Sequence, residues 1–419
     1  MSRHDKPNIS RGLVSRRTML KGSLASALTL PALTPALAAP AKASEKDNID
    51  LSTQWPFYGD QGQAGITTPP QRHIMFMTFD MTTPSAEALQ LLLARWSAAI
   101  AQLVQGAPVG TVEPTRTGSV GTDTGEAVGL DPAALTVTIG LGPTLFTDQY
   151  GLSAKCPPHL RPLAALPSDN LQPELTGGDL SLQACADDPQ VAYHAIRVLA
   201  RIAKSIGAAQ TRWTVMGFGR ASAGKGQETP RNLFGFKDGT RNLVDRADFD
   251  QHVWVKQGPA WQQNGSYQVV RKIKMNIENW DTDRVSDQND VFGRHKLSGA
   301  PLSGNHEFDT PDFHQKNAQG ELVIPATAHI RLAAHENNQG VKILRRSYNY
   351  TDGLNHYGQL DAGLLFISYQ NNPAHFEQLQ RKLGATDALN EYISHIGSAL
   401  FFIPPAAQAG SYIGAPLFS

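Results

Sequence analysis

Apolar residues recur along this chain at two spacings, and the spacings alternate. His73 to Phe79 is a short β-prone apolar run broken by a single threonine. Pro84 to Val104 then carries Leu89, Leu92, Leu93, Trp96, Ile100 and Leu103 three and four apart, one stripe of an amphipathic helix. After a Gly/Thr/Pro-rich loop from Gly106 to Gly129, Leu135–Ile139 predicts a strand closed by Gly140 and Gly142. Asp179–Ala184 predicts another. Helical spacing returns over Asp187–Gly207 through Val191, Ala195, Val198, Leu199, Ile202 and Ile206, and Arg212–Phe218 reads as a strand. Strand–helix–strand, twice over, is the order of a ferredoxin-like α+β unit.

The second half is less regular. Gly265–Glu278 alternates as a strand after the Asn264-Gly265 turn, and Gly293–Gln319 is a polar excursion containing His295, His306 and His314. Gly363–Tyr369 is a buried strand, Ala374–Leu383 a helix ended by Gly384, Leu389–Ile396 a further short helix and Ala399–Ile403 a last strand. This order echoes His73–Val104 and points to duplication of one module. The Gly/Ser/Lys stretch Arg220–Pro230 marks the boundary, giving domains at 55–220 and 221–419.

The first 54 residues follow neither spacing. Ser15-Arg16-Arg17-Thr18-Met19-Leu20-Lys21 sets an arginine pair before a weakly apolar run, Gly22–Leu37, interrupted by Pro31 and Pro35. Ala36-Leu37-Ala38 offers small residues for cleavage before Ala39. These features together read as a twin-arginine signal peptide over residues 1–38, hence export to the periplasm and a folded cargo with its prosthetic group in place. Residues 39–54 are a polar linker. Composition narrows the field further. Lys+Arg and Asp+Glu both number 37, so the formal charge is zero, which excludes the basic excess of a nucleic-acid binder. Charged residues are 18% and hydrophobic ones 41% of the 419, the balance of a folded globular chain. Cys156 and Cys185 are the two cysteines; one bridge or two free thiols fit equally, and no Cys/His zinc spacing exists.

Three segments carry candidate chemistry. Gly235-Phe236-Lys237-Asp238-Gly239 brackets an aspartate between glycines; alone, it reads equally as a β-turn with a solvated Asp. No dinucleotide fingerprint is present, since Ser222 stands where Gly217-Phe218-Gly219 would need a third glycine. His335-Glu336 fails as a zincin helix because Gln339 occupies the second histidine position. His329 lies in the apolar segment Ala328–Leu332 beside Arg331; a lone histidine is commonly structural, yet one axial imidazole suffices for haem and an arginine can meet a propionate. Arg345-Arg346-Ser347-Tyr348 follows Ile343-Leu344 and reads by itself as a basic strand end.

Taken together, these segments resemble the dye-decolourising (DyP-type) haem peroxidases. Gly235–Gly239 matches that family's GxxDG motif, His329-Ile330-Arg331 its proximal-histidine segment and Leu344–Tyr348 its distal-arginine segment. Trp55–Gly65 and the leader extend the likeness to nearly the full length, toward the exported deferrochelatase-type members of ferrous-iron uptake systems. The resemblance implies an α+β fold of two ferredoxin-like domains, antiparallel sheets with helices, and one haem b in the C-terminal domain. It makes His329 the iron ligand and Asp238 and Arg345 the distal catalytic pair. Phe236, Lys237, Arg331, Ala334, His335, Glu336, Leu364 and Phe366 would complete the cofactor pocket. The implied partners are hydrogen peroxide, haem, porphyrin or dye-like donors, the twin-arginine export machinery, other iron-uptake components and a second copy of the chain, with no nucleic acid. One departure stands out: where the family has Asn-Pro-Arg, this chain has Ala334-His335-Glu336, which shifts propionate pairing onto Arg331. Two other readings share the sequence, a non-catalytic haem carrier and a non-haem metal protein using the His295–His314 excursion.

Overall fold

Residues of β1 (His73–Met81) divide between two cores. Ile74 and Phe76 pack to one side and Met75 and Met77 to the other, so the sheet they belong to is covered on both faces. The structure, a computed structural model, describes residues 49–419; the arginine pair, the whole leader and the linker through residue 48 lie outside the described residues. Among the described residues no helix is long and apolar enough to cross a membrane.

The first half runs β1, α1 (Ala86–Leu103), β2 (Thr136–Leu141), β3 (Leu180–Ala186), α2 (Pro189–Ser205) and β4 (Ala209–Arg220). Its strands lie in the order β2-β3-β1-β4, all antiparallel, the ferredoxin-like arrangement. Both helices begin where side chains satisfy free amides. Ser85 Oγ accepts from Ala88 N at 3.1 Å, and Asp188 accepts from Gln190 and Val191 with Pro189 in the first turn. Leu180, Leu182, Ala184 and Ala186 face these helices, whereas Cys185 points the other way.

The second half runs α3 (Arg246–His252), β5 (Ser266–Met275), α4 (Ile277–Thr282), α5 (Val285–Phe292), α6 (His329–Ala333), β6 (Leu344–Arg345), β7 (Tyr348–Leu354), β8 (Leu360–Gln370), α7 (Ala374–Thr386) and β9 (Ile393–Ile403). The order β9-β5-β8-β7 repeats that of the first half. β6 and β7 pair with β8 in one register, Leu344 opposite Tyr369 and Tyr348 opposite Leu365. Contacts between β4 and β7 and between β2 and β9 join the halves into a closed antiparallel barrel. The β2–β9 seam has a single paired position, Leu141 with Phe402, and the buried Gln63 spans it by donating to Ile139 O and Pro404 O at 3.0 Å each. Tyr348, Tyr350, Leu365, Ile367, Tyr369 and Phe401 fill the interior, with Gln183, Gln268 and Tyr369 hydrogen-bonded to one another among them.

Two expected elements differ. The short helix at Leu389–Ile396 is a single 3-10 turn, Ala388–Glu391, followed directly by β9, because Ile393 pairs with Met275 in the sheet. Its apolar spacing fits a helix locally, but the long-range pairing takes the residues. The helix expected to stop at Gly384 continues to Thr386. Gly384 is a packing residue: a Cβ there would lie 2.2 Å from the Pro167 carbonyl oxygen. Cys156 and Cys185 are both free thiols.

The decisive asymmetry is in the crossovers. Between its first two strands the first half has the 18-residue α1. The corresponding stretch of the second half, from β5 to β6, holds only α4, α5 and α6 within a long irregular segment. No long helix seals the sheet there, and a cavity opens.

The loop before β2 is fastened to α2 by charge. Glu126 accepts from His194 Nδ1 at 2.9 Å and from Arg197, while His194 Nε2 lies 3.4 Å from Asp123. Burial acts to raise the Glu126 pKa, but hydrogen bonds from Thr124, His194 and Arg197 outweigh it and bring the value down to about 2. A carboxylate with a depressed folded pKa stabilises above its unfolded value and loses that contribution as pH falls. Glu126→Gln is therefore expected to cost about 1 kcal/mol at neutral pH, the half-exposed Arg197 limiting the figure. The deficit against the parent should shrink as pH drops below about 4.5. Denaturation followed by circular dichroism across pH checks this; a deficit independent of pH would contradict it.

Candidate active site

Asp238 is positioned by a turn that its neighbours over-determine. Asn232 Oδ1 accepts from the amides of Phe234 and Phe236 at 3.1 and 3.3 Å, and its Nδ2 donates to Asp238 Oδ2 at 3.2 Å. Gly239 has φ +104°, and a Cβ on it would meet Ala223 N and Ser222 Cα at 3.0 Å, so the turn requires glycine at this position. Lys237 turns to Glu307, which also accepts from Thr240 Oγ1 at 3.1 Å. Phe236 lies behind the cavity wall: it is buried and stacks on Phe292, centroids 4.1 Å apart, and Phe292 lines the cavity.

Arg345 reaches the same place from β6. Its Nη1 lies 2.9 Å from Asp238 Oδ1 and its Nη2 donates to Thr240 O at 3.3 Å. Asn242 grips its backbone from both sides, accepting from Arg345 N and donating to Arg345 O, each at 2.9 Å. Strand alternation sends the next residue, Arg346, into the barrel, where it is 1% exposed and bonds Gln71 and Thr68. On β8, Leu364 and Phe366 line the cavity while Leu365 and Ile367 face inward.

His329 opens α6. Its Nδ1 donates to Asp387 Oδ2 at 2.6 Å, so that in the neutral ring Nε2 is the nitrogen with a lone pair. The ring is enclosed by protein, and 31% of its side-chain surface opens onto the cavity. Burial opposes its protonation, but the Asp387 charge and hydrogen bond, with a smaller contribution from Asp238, raise its pKa above the ordinary value. His395 also borders the cavity; burial and the nearby Arg271 push its pKa down to about 3, and at 4% exposure it is far less open.

Of the residues after His329, Ala334 and His335 line the cavity. Arg331 does not: two positions along a helix turn the side chain to the other side. Its guanidinium donates to the carbonyls of Phe313, Ile324 and Pro325 and lies over the Phe313 ring at 5.3 Å. Those bonds occupy its Nε and Nη2, one two-donor edge of the guanidinium, and hold the group away from the cavity. Glu336 also stands off the cavity lining, paired with Arg241 at 2.6 Å.

The cavity holds about 510 Å³ and joins these side chains to Ile273, Met275, Phe376 and Leu379. Sequence reasoning missed Asp387, Asn242, Arg241 and Arg294. Arg294 lines the cavity at 5% exposure; burial brings its pKa down to about 10, and its Nη1 donates to Gly299 O and Glu307 O. Asp387 lies 58 residues from His329, so no local pattern links them. Among the described residues no group of three or more His, Cys, Asp or Glu side chains could hold a metal ion by itself, and His295, His306 and His314 are not brought together as such a site. The donor set fits haem: one imidazole with a free Nε2, a wide apolar wall, and cationic side chains for carboxylates.

Fold and cavity together describe an enclosed, mainly apolar site onto which one carboxylate-bound imidazole and an Asp–Arg pair open. The chain belongs to the Dyp-type peroxidase family. Residues 63–219 match the N-terminal and 229–408 the C-terminal domain of that family. Among curated relatives, a protein named deferrochelatase from Yersinia pseudotuberculosis is 37% identical over 423 residues, 96% of this chain and 94% of that one. Another deferrochelatase, from Escherichia coli, is 36% identical, covering 96% of each. Among solved structures, a DyP-type peroxidase from Streptomyces coelicolor superposes with TM-score 0.80 at 40% identity, over 88% of this chain and 98% of its own. Ferric DtpA from Streptomyces lividans gives 0.80 at 40%, over 87% and 97%.

Proposed function

We propose that the chain is a haem peroxidase, in which His329 would hold the iron of one haem b, and that it also releases iron from haem with the tetrapyrrole intact. One observation carries the reading: the carboxylate-tethered imidazole of His329 and the Asp238–Arg345 ion pair open onto one large apolar cavity. When bound, haem supplies the redox-active iron at which peroxide is reduced, with electrons later drawn from a dye, phenolic or porphyrinogen-type donor.

The chain's own residues supply the rest. Asp238 accepts a proton from one peroxide oxygen and returns it to the oxygen that leaves as water. Arg345 stays protonated and stabilises the negative charge that grows on the departing oxygen. Asn242 holds the Arg345 backbone so that its guanidinium stays on Asp238. The Asp387 carboxylate orients the His329 ring and makes its Nε2 a stronger donor. A haem carrier without turnover is the competing reading; the Asp238–Arg345 pair favours the enzyme, since storage needs no acid–base group in the cavity.

In the second activity haem is the substrate. Ferrous iron leaving a porphyrin is replaced by two protons on the ring nitrogens, and an external reductant first converts ferric to ferrous iron. In this reading Asp238 relays those protons, and the relatives named deferrochelatase support the activity. Residues 1–38 serve in this reading as a twin-arginine signal, 39–54 as a linker, and 55–220 and 221–419 as two domains. The mature protein works in the periplasm as a homodimer beside other iron-uptake components.

The parent protein should bind one haem per chain with an intense Soret band, and His329→Ala should lose it; a parental spectrum in that variant would remove His329 as ligand. Asp238→Asn and Arg345→Leu should retain haem, and at least one should slow peroxide activation roughly 10²–10⁴-fold in stopped flow. Unchanged rates in both would sink the acid–base assignment. Anaerobic incubation with haem, a reductant and a ferrous chelator should yield porphyrin fluorescence above a haem-only control; its absence leaves the peroxidase alone. Replacing Arg16 and Arg17 by Lys should strand the uncleaved precursor in the cytoplasm, and normal periplasmic accumulation would refute that route.

A further inference from the structure

The Ala334-His335-Glu336 segment lacks an arginine, and Arg331 is turned away, so the cavity needs another anchor for an anionic ligand edge. Its remaining cations differ in how firmly they are held. Arg345 is bound to Asp238 and Thr240 O, Arg271 to Asp169 and Ser398, Lys237 to Glu307 within a partly buried cluster, and Arg294 is buried with Nη1 on two carbonyls. Arg241 is held only near the surface. Its Nη2 and Nη1 lie 2.6 and 3.4 Å from the two Glu336 oxygens, and Nη2 lies 3.3 Å from His335 Nδ1. Both partners are about a third exposed, 33% for Arg241 and 38% for Glu336. Arg241 nevertheless lines the cavity, and it does so from φ +65°, a left-handed backbone that non-glycine residues rarely adopt.

We propose that Arg241 is the carboxylate anchor for the bound tetrapyrrole and that Glu336 is its built-in competitor. The proposal rests on the haem reading above. A guanidinium fork presents two parallel donors, which suit a carboxylate better than the ammonium of Lys342, held at 3.3 Å by Asp248 on the same cavity. In the free protein Glu336 occupies that fork. A ligand carboxylate entering the cavity displaces Glu336, exchanging one partly exposed ion pair for another of similar strength. An anchor of that kind holds its ligand and also lets it go, which suits a protein that takes up haem and gives back a tetrapyrrole.

The test is the rate at which ferric haem passes from the loaded protein to excess apomyoglobin, read by stopped-flow absorbance. Arg241→Gln should speed release about tenfold, the loss of one charge-assisted pair. Glu336→Gln should slow release severalfold. The double variant should release haem faster than Glu336→Gln alone, which separates a lost anchor from an exposed repelling carboxylate. With haem dimethyl ester, whose carboxylates are blocked, Arg241→Gln should match the parent. Parental release from Arg241→Gln, an equal effect on the diester, or a larger effect from Lys342→Gln would overturn the proposal. A parent that binds no haem, or a His329→Ala variant that binds it normally, would instead bring down the underlying functional reading.

Discussion

Adjacent residues of a strand point to opposite sides of the sheet, and Arg345 and Arg346 turn that rule into the layout of the candidate site. Arg345 faces the cavity and pairs with Asp238; Arg346 faces the barrel interior and ties down Thr68 and Gln71. β8 obeys the same rule against them, giving Leu364 and Phe366 to the cavity and Leu365 and Ile367 to the interior. A slip of one residue would bury Arg345 in the barrel and expose its apolar filling to the cavity. The barrel core thus fixes the register, and the register fixes the site.

The cavity follows from unequal crossovers on equal sheets. Both halves share one strand order, so each needs its outer face covered. In the first half α1 and α2 do this with a continuous apolar core. In the second, three short helices leave space between the sheet and α7, and the long connecting segment delivers His329 to its edge. Charges gathered in such a space are costly unless paired. Asp238 with Arg345, His329 with Asp387, and Lys237 with Glu307 meet that requirement inside, while Arg241 with Glu336 meets it at the rim. The inner pairs are braced by further hydrogen bonds, whereas the rim pair is open to water and so free to exchange.

Elements with strong local periodicity were legible from the chain alone: the α1 and α2 stripes, the β1 and β8 runs, and the ferredoxin-like order of the first half. The tight turn around Asp238 was legible as well, because Gly235 and Gly239 signal a backbone conformation by themselves. The 3-10 turn before β9 was misread as a helix because spacing over a few residues cannot register a partner strand more than a hundred residues away. Gly384 reads as a stop because glycine marks both helix ends and close approaches, and only the position of Pro167 distinguishes them.

The sequence by itself therefore determined the strongly periodic elements, the GxxDG turn and the histidine and arginine segments, all encoded within a few residues by periodicity and backbone preference. The tertiary structure alone decided which carboxylate meets His329, which arginine faces the cavity rim and where Arg331 points. Asp387 and Arg241 join partners 58 and 95 residues away, and Arg331 is drawn off by carbonyls of a loop without regular structure. Such pairings depend on chain closure and on the desolvation of charges, and neither leaves a trace in any local stretch of residues.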